Sequence, residues 1–474
     1  MRAFLIVLLI MGGLLRAVAE ERATRPSVIL MMADDLGWGD VGFNGSTVAK
    51  TPHLDALAAD SLQFDRFYAA APVCSPTRGS ALTGRHPYRY GITFANVGHL
   101  QEEEQTLAQV LQSAGYATGH FGKWHLGTLT TEIRDANRGF PGRTEHFAPP
   151  WLRGFDVCFS TESKVPTWDP VRVPLRFGPE QSRHYGWIGI EDDSPTEHYG
   201  TYFWDESGRV VEDHLAGDDS RVIMDRAVDF IRAAAGRDQP FLAVIWFHTP
   251  HLPVVTGSHY RELYADLPLR EQLYYGCITA MDDQVGRLQE LLVSLDLLEN
   301  TMWWFCSDNG PENNTPGSAG PFRARKRSLY EGGIRVPAFL HWPARIAEGR
   351  TTDVPSVTSD YLPTVLEILD LPRPPGPEPL DGISLLPLVD GRMDQRPSPI
   401  GFQSGNMAAW TTQRYKLVLR NQKASPELYD LVADPVEQHD LAAQHPEIVD
   451  RMLHQLRKWQ QSCRDSAAAY GIGR

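Results

Sequence analysis

Residues able to do chemistry gather in a few short stretches, and the most telling is Cys74-Ser75-Pro76-Thr77-Arg78. A thiol is followed at fixed offsets by a proline and a guanidinium. Pro76 lacks a backbone N–H and has its φ preset, which suits the first turn of a helix. The spacing predicts a helix through Thr77 to Leu82 with Cys74 just ahead of its N-terminus. Unpaired N–H groups and a positive dipole end make that place a seat for a tetrahedral anion. Arg78, one turn in, adds a planar cation able to bind an oxyanion or hold a neighbour of the cysteine. A lone thiol before a helix can equally be core filler, so its companions matter.

The elements that must position them alternate strand and helix. Ser27–Met32 is a continuous apolar run, suited to a strand covered on both faces, and it ends in Asp34-Asp35. Two adjacent carboxylates repel one another and need a cation. Their place at a strand's carboxyl end is where open α/β sheets bind ligands. Phe64–Tyr68 reads as one strand delivering the chain to Cys74. Tyr116–Gly127 follows a helix over Thr106–Ala114. In an extended segment residues two apart face the same way, so Lys123 and His125 are expected to project together. Helices are expected over Thr51–Ala58, Ser220–Ala235 and Gln272–Leu295. Phe241–Phe247 is a buried strand leading to His248 and His251, and Thr301–Ser307 another, ending in Asp308-Asn309-Gly310. Residues 130–215 lack periodicity and read as long loops over the sheet. They carry Trp151, Trp168, Trp187 and Trp204 with several arginines, a set that could stack on sugar rings and hold sulfates. Beyond a Pro-rich stretch at Leu371–Pro379, three short antiparallel strands (Ala409–Thr412, Tyr415–Leu419, Glu427–Leu431) and a closing helix near Pro446–Ser462 are expected.

Several of these stretches resemble one family. Cys74-x-Pro76-x-Arg78 with the trailing Leu82-Thr83-Gly84-Arg85 resembles the signature of the type I sulfatases. Gly122-Lys123-Trp124-His125-Leu126-Gly127 is similar to that family's second motif, and Ser307-Asp308-Asn309-Gly310 to its second metal-binding element. Lys326 with Glu331-Gly332-Gly333-Ile334-Arg335-Val336-Pro337 resembles its lysine segment, except that Arg327 stands where a glycine is usual, leaving Arg325 and Arg327 as possible substitutes for Lys326. For the histidine before x-Pro, His251-Leu252-Pro253 is the better match and His248 the competitor.

The resemblance spans roughly residues 25 to 445 and implies an α/β fold of the alkaline phosphatase superfamily. That fold has a mixed, largely parallel sheet between helices and a small C-terminal antiparallel α+β subdomain. It implies that a maturation enzyme oxidises Cys74 to formylglycine, whose hydrate is the nucleophile against a sulfate ester. A metal would be held by Asp34, Asp35, Asp308, Asn309 and the modified residue 74. This all-oxygen set points to Ca2+, with Mg2+ second. Arg78, Lys123 and Lys326 would surround the sulfate. His125 would act as base and His251 as acid, two roles that can be exchanged without changing anything the sequence shows. Two rivals are a phosphonate monoester or phosphodiester hydrolase of the same superfamily and a secreted glycan-binding pseudoenzyme.

Composition narrows the partners. At 474 residues, 42% apolar and 22% charged, the chain has the make-up of a soluble enzyme large enough for two domains. A net charge of -14 argues against a nucleic-acid partner. Met1-Arg2, the apolar run Ala3–Leu15 and Ala17-Val18-Ala19 read as a signal peptide over residues 1–19 that leaves no membrane anchor in the mature chain. Export follows: periplasmic or extracellular in a bacterium, lysosomal or secreted in a eukaryote. The catalytic domain is expected over 20–370 and the linker and C-terminal subdomain over 371–474. Five cysteines, at 74, 158, 277, 306 and 463, are too scattered for a disulfide framework. The expected substrate is a sulfated small molecule or glycan.

Overall fold

The computed structural model describes residues 25–472 apart from 374 and 422, so the expected signal segment lies outside the described residues. The frame is a ten-stranded sheet. Five strands at its centre run parallel: β1 (Ser27–Ala33), β2 (Ala117–Lys123), β3 (Val157–Thr161), β4 (Phe241–Trp246) and β5 (Thr301–Ser307), in the spatial order β3-β2-β4-β1-β5. β6 (Ala338–His341) pairs antiparallel with β5, which makes the sheet mixed.

The uninterrupted apolar run of β1 follows from burial on both faces. Ile29, Met31 and Ala33 join one core cluster, with Ile223, Met224, Leu288 and Leu292. Val28, Leu30 and Met32 join the other, with Ala81, Leu82 and Val365. That is the two-residue period of a strand read into two layers. The first layer is built by helices α2 (Asp219–Ala235) and α3 (Leu269–Ser294), the second by α1 (Cys74–Thr83) and α4 (Tyr361–Ile368).

Several expectations change in detail. The helix after the cysteine begins at Cys74 itself: Val73 is the extended cap, with φ -153° and ψ 155°, and all ten residues of α1 are buried. Phe64–Tyr68 is two strands rather than one. Leu62–Phe64 lies in the large sheet, the chain turns at Asp65-Arg66, and Phe67–Tyr68 pairs with Ser356–Val357. The region expected as loops over 130–215 contributes β3 to the centre of the sheet, and two of the four tryptophans named there are not free to stack on a sugar. Trp187 and Trp204 are core residues, and the Trp204 indole N–H donates to Asp135 at 2.8 Å.

At the C-terminus four strands, β7 (Ile400–Ser404), β8 (Met407–Thr411), β9 (Tyr415–Leu419) and β10 (Glu427–Asp430), form an antiparallel sheet in chain order. β7 escaped the sequence because Gly401, Gln403 and Ser404 dilute its apolar alternation. The closing helix α5 (Pro446–Ala469) runs past Ser462, and Ser462 and Ser466 on it accept from Arg89. Among the described residues no helix is long and apolar enough to cross a membrane, and all five cysteines are buried and unpaired.

This sheet is tied to the rest by charge. Lys416 on β9 is fully buried, with its ammonium 2.8 Å from Glu331 and 3.0 Å from Glu437. Glu331 also accepts from the Tyr68 hydroxyl at 3.0 Å. Removing one member of a buried ion cluster leaves the others uncompensated. Lys416→Ala is expected to lower unfolding free energy by about 3–5 kcal/mol in a urea titration. A change below about 1 kcal/mol would assign the cluster no more weight than a surface pair.

Candidate active site

Parallel strands deliver their carboxyl ends to one edge of the sheet, and the chemistry-bearing residues follow directly from them. Asp34 and Asp35 follow β1, Lys123 ends β2, His248 and His251 follow β4, and Asp308 and Asn309 follow β5. α1 enters the same edge and sets Cys74 at its first residue, with Sγ 3.4 Å from Asp34 Oδ1.

Three buried carboxylates meet three buried cations there. Lys123 Nζ lies 2.5 Å from Asp34, and Lys326 Nζ lies 2.6 Å from Asp35. Arg78 places Nη2 at 2.7 Å and Nε at 3.1 Å from Asp308, with Asp34 at 3.5 Å. Burial alone would raise Asp34, but the cations Lys123, Arg78 and Lys326 hold it well below the usual carboxylate range. Burial wins at Asp35, which is raised despite Lys326. Asp308 is pushed up to about 6, first by burial and then by repulsion from Asp34. The Cys74 thiol is driven up by burial and by Asp308 and Asp34, so it stays protonated at neutral pH.

The two histidines in question separate cleanly. His248 is fully buried and pinned at both nitrogens, Nδ1 at 2.8 Å from Asp219 and Nε2 at 2.7 Å from Thr161, so neither is free for a ligand. His251 faces the cluster, with Nε2 3.7 Å from Asp35 and Nδ1 2.6 Å from the Leu252 carbonyl. His125 reaches the site by a different route from the one expected. β2 stops at Lys123, and His125 takes a left-handed φ of 59° instead of continuing the extended run. Its Nε2 lies 2.8 Å from Asn96 Oδ1, while Nδ1 is buried and has no partner. Because Asn96 Oδ1 accepts, Nε2 carries the proton and Nδ1 keeps a free lone pair. Burial, reinforced by Lys123, Arg138 and Arg78 at His125 and by Lys326, Lys123 and Lys164 at His251, holds both imidazoles neutral.

Lys326 and its two neighbouring arginines have different partners. Arg325 donates to the Glu312 and Thr315 carbonyls, and the Arg327 guanidinium grips the Glu312 carboxylate. Neither reaches the carboxylate cluster. Arg327 has a φ of 72°, the left-handed region in which glycine is unstrained.

Lys164 escaped the sequence reading. It is half-buried three residues beyond β3, whose Thr161 sits in register with Lys123. Its pKa is lowered by burial and by Lys123 and Lys326, so it belongs to the same cluster of cations. Its signal in the sequence was the end of β3, hidden in a stretch with no strand pattern. Asn96 and Asn137, which buttress His125, had no signal at all.

Metal fit can be tested on the donors themselves. Ligand atoms of Asp34, Asp35, Cys74 and His251 lie within 4.8 Å of one another. Asp308 and Asn309 join through Asp35, whose backbone N–H donates to Asp308 at 3.1 Å and whose carboxylate accepts from the Asn309 amide at 2.7 Å. The Asn309 side-chain amide oxygen, Oδ1, is buried with no partner. Three crowded carboxylates, two of them raised, and an orphaned amide oxygen fit a hard divalent cation.

A sulfatase family profile matches residues 26–371, and the profile for the N-sulphoglucosamine sulphohydrolase C-terminal region matches 322–462. The chain belongs to the sulfatase family. It is 32% identical over 428 residues to N-acetylgalactosamine-6-sulfatase of Mus musculus, covering 85% of this chain and 73% of that protein. To arylsulfatase G of Rattus norvegicus it is 32% identical over 392 residues, covering 79% and 70%. The solved structure of Ps i-CgsB in complex with k-i-k-neocarrahexaose superposes with a TM-score of 0.74 at 26% identity over 92% of both chains. The fold is therefore the alkaline-phosphatase-like one, and the protein is a sulfatase enzyme acting on sulfate esters.

Proposed function

We propose that this sulfatase is exported and releases inorganic sulfate from a sulfated carbohydrate, with Cys74 converted to formylglycine by a maturation enzyme. One observation carries the reading. A thiol that cannot ionise stands at the head of a buried helix, facing three carboxylates and three cations. An unmodified thiol there is a poor nucleophile. It would also lack the second hydroxyl needed to release sulfate after one transfer. Hydrated formylglycine supplies two hydroxyls on one carbon, one to accept the sulfuryl group and one to expel sulfate afterwards.

The remaining chemistry falls to this chain's own side chains. Asp34, Asp35, Asp308 and the Asn309 amide oxygen would hold Ca2+, with Mg2+ second, lowering the pKa of the hydroxyl at position 74 and offsetting charge on the sulfate. Lys123, Lys326 and Arg78 stabilise the developing negative charge as preorganised cations. His251 gives a proton to the departing alcohol oxygen, and His125 takes one from the remaining hydroxyl through its free Nδ1. His251 must first gain that proton. Burial is the main reason the free imidazole is neutral, and a bound sulfate between Lys123 and Lys326 offsets the cations that add to it.

The test is the mass of the tryptic peptide Phe67–Arg78 from active protein made in its native host. It is expected about 18 Da below the unmodified sequence. An intact thiol in active protein would overturn the mechanism. A strong preference for aryl phosphodiesters over aryl sulfates in matured protein would move it to the diesterase branch.

A further inference from the structure

The turn that presents His251 hangs on the buried His248. The His251 backbone N–H donates to the His248 carbonyl at 2.7 Å, and its Nδ1 is tied to the Leu252 carbonyl at 2.6 Å, so the place of the ring follows that of the turn. Thr249, next to His248, accepts from the Asp34 N–H through its carbonyl at 2.9 Å. One short stretch after β4 therefore sets both the imidazole that faces the cluster and the first carboxylate of the cluster.

That stretch is anchored from outside the site. Asp219 and Ser220 open α2, a helix of 17 residues. Asp219 Oδ2 lies 2.8 Å from His248 Nδ1, and Ser220 Oγ lies 3.1 Å from Thr249 Oγ1. On the other side of the ring Thr161, the last residue of β3, lies 2.7 Å from His248 Nε2, and its hydroxyl donates to the Ser163 carbonyl at 2.7 Å. His248, Asp219, Ser220 and Thr161 are all fully buried. Apolar side chains of the same volume would fill this space without the cost of burying polar groups. What the polar set adds is a single fixed orientation for the ring and for the turn it begins.

We propose that Asp219 and His248 are positioning residues for proton transfer to the leaving group, holding the turn that aims His251 Nε2 at the departing oxygen. The inference rests on the reading of His251 as the proton donor. Cys74, Arg78, Lys123 and Lys326 are carried by other elements and keep their places when this anchor is lost. A leaving group that departs as a stable phenolate needs little help from a donated proton, and a more basic one needs much. Loss of the anchor is therefore felt selectively by esters with basic leaving groups.

The experiment compares kcat/KM on phenyl sulfate, whose leaving group is basic, with that on 4-nitrophenyl sulfate, whose leaving group is not, using matured full-length enzyme. kcat/KM reports the steps up to departure of the phenolate, and the ratio of the two values does not depend on how much of a preparation is folded. Asp219→Asn keeps the shape and removes the carboxylate, His248→Gln removes the ring, and His251→Ala sets the full effect of losing the donor. The ratio of phenyl to 4-nitrophenyl kcat/KM is expected to fall about tenfold in His248→Gln and severalfold in Asp219→Asn, and neither change lowers it further when combined with His251→Ala. Equal losses on both esters, or no loss, in the two anchor variants overturn the positioning role while leaving His251 as donor. A His251→Ala variant with the wild-type ratio overturns the donor assignment, and the positioning role with it.

Discussion

Alanine at position 74 is expected to lower kcat/KM on any sulfate ester by at least about 10^3-fold while leaving the protein folded. Cys74 is the first residue of α1, and its sulfur touches Asp34 at a place the buried helix already defines. Removing the sulfur deletes only a small buried group, and alanine is the best helix former. The carboxylates and the cations around it stay in place, so the loss reports the proposed nucleophile rather than the scaffold. Cys74→Ser separates the two halves of the proposed cycle. Its single hydroxyl can accept a sulfuryl group but cannot expel it, so the variant should stall after one turnover and gain the mass of that group. Sustained turnover by the alanine variant would remove position 74 from the chemistry.

The second large effect is expected at Arg78. Its guanidinium is fully buried, binds Asp308 through two nitrogens, lies 3.5 Å from Asp34 and donates to the Lys123 carbonyl at 3.0 Å. It also lies 5.2 Å from the centre of the Trp246 ring, where a cation is favoured. Arg78→Ala leaves Asp308 buried, with Asp34 beside it and its closest cation gone. A buried charge stripped of its partner costs about 3–5 kcal/mol. The measurement is a urea midpoint at neutral pH, where Asp308 would otherwise be ionised, together with kcat/KM. Arg78→Lys restores the charge but not the planar fork, so stability should return in part while activity stays low. A full return of both would show that only the charge matters; a stability loss of less than 1 kcal/mol in the alanine variant would falsify the charge-cluster argument.

Much of this was legible in the chain because the central strands are buried on both faces. β1, β4 and β5 read as unbroken apolar runs, and the polar residues that end them are therefore conspicuous. Asp34, Asp35, Asp308, Asn309 and the histidines after β4 stand out for that reason. The edges and inserts were harder. β3 and β7 carry Ser, Thr, Gly and Gln within short strands, and pairing with neighbours, rather than local pattern, makes them strands. The same holds for Trp187 and Trp204, whose packing in the core depends on where β3 and its neighbours lie.

The order of the motifs, the doubly covered parallel sheet and the identity of the charged residues at its carboxyl edge were determined by the sequence alone, because burial and strand period leave their mark on consecutive residues. The left-handed turn at His125, the different surroundings of His248 and His251, the capture of Arg327 by Glu312 and the arrival of Lys164, Asn96 and Asn137 were decided only by the tertiary structure. Each is an encounter between residues distant in the chain, settled by which partner lies within hydrogen-bonding reach once the sheet has closed.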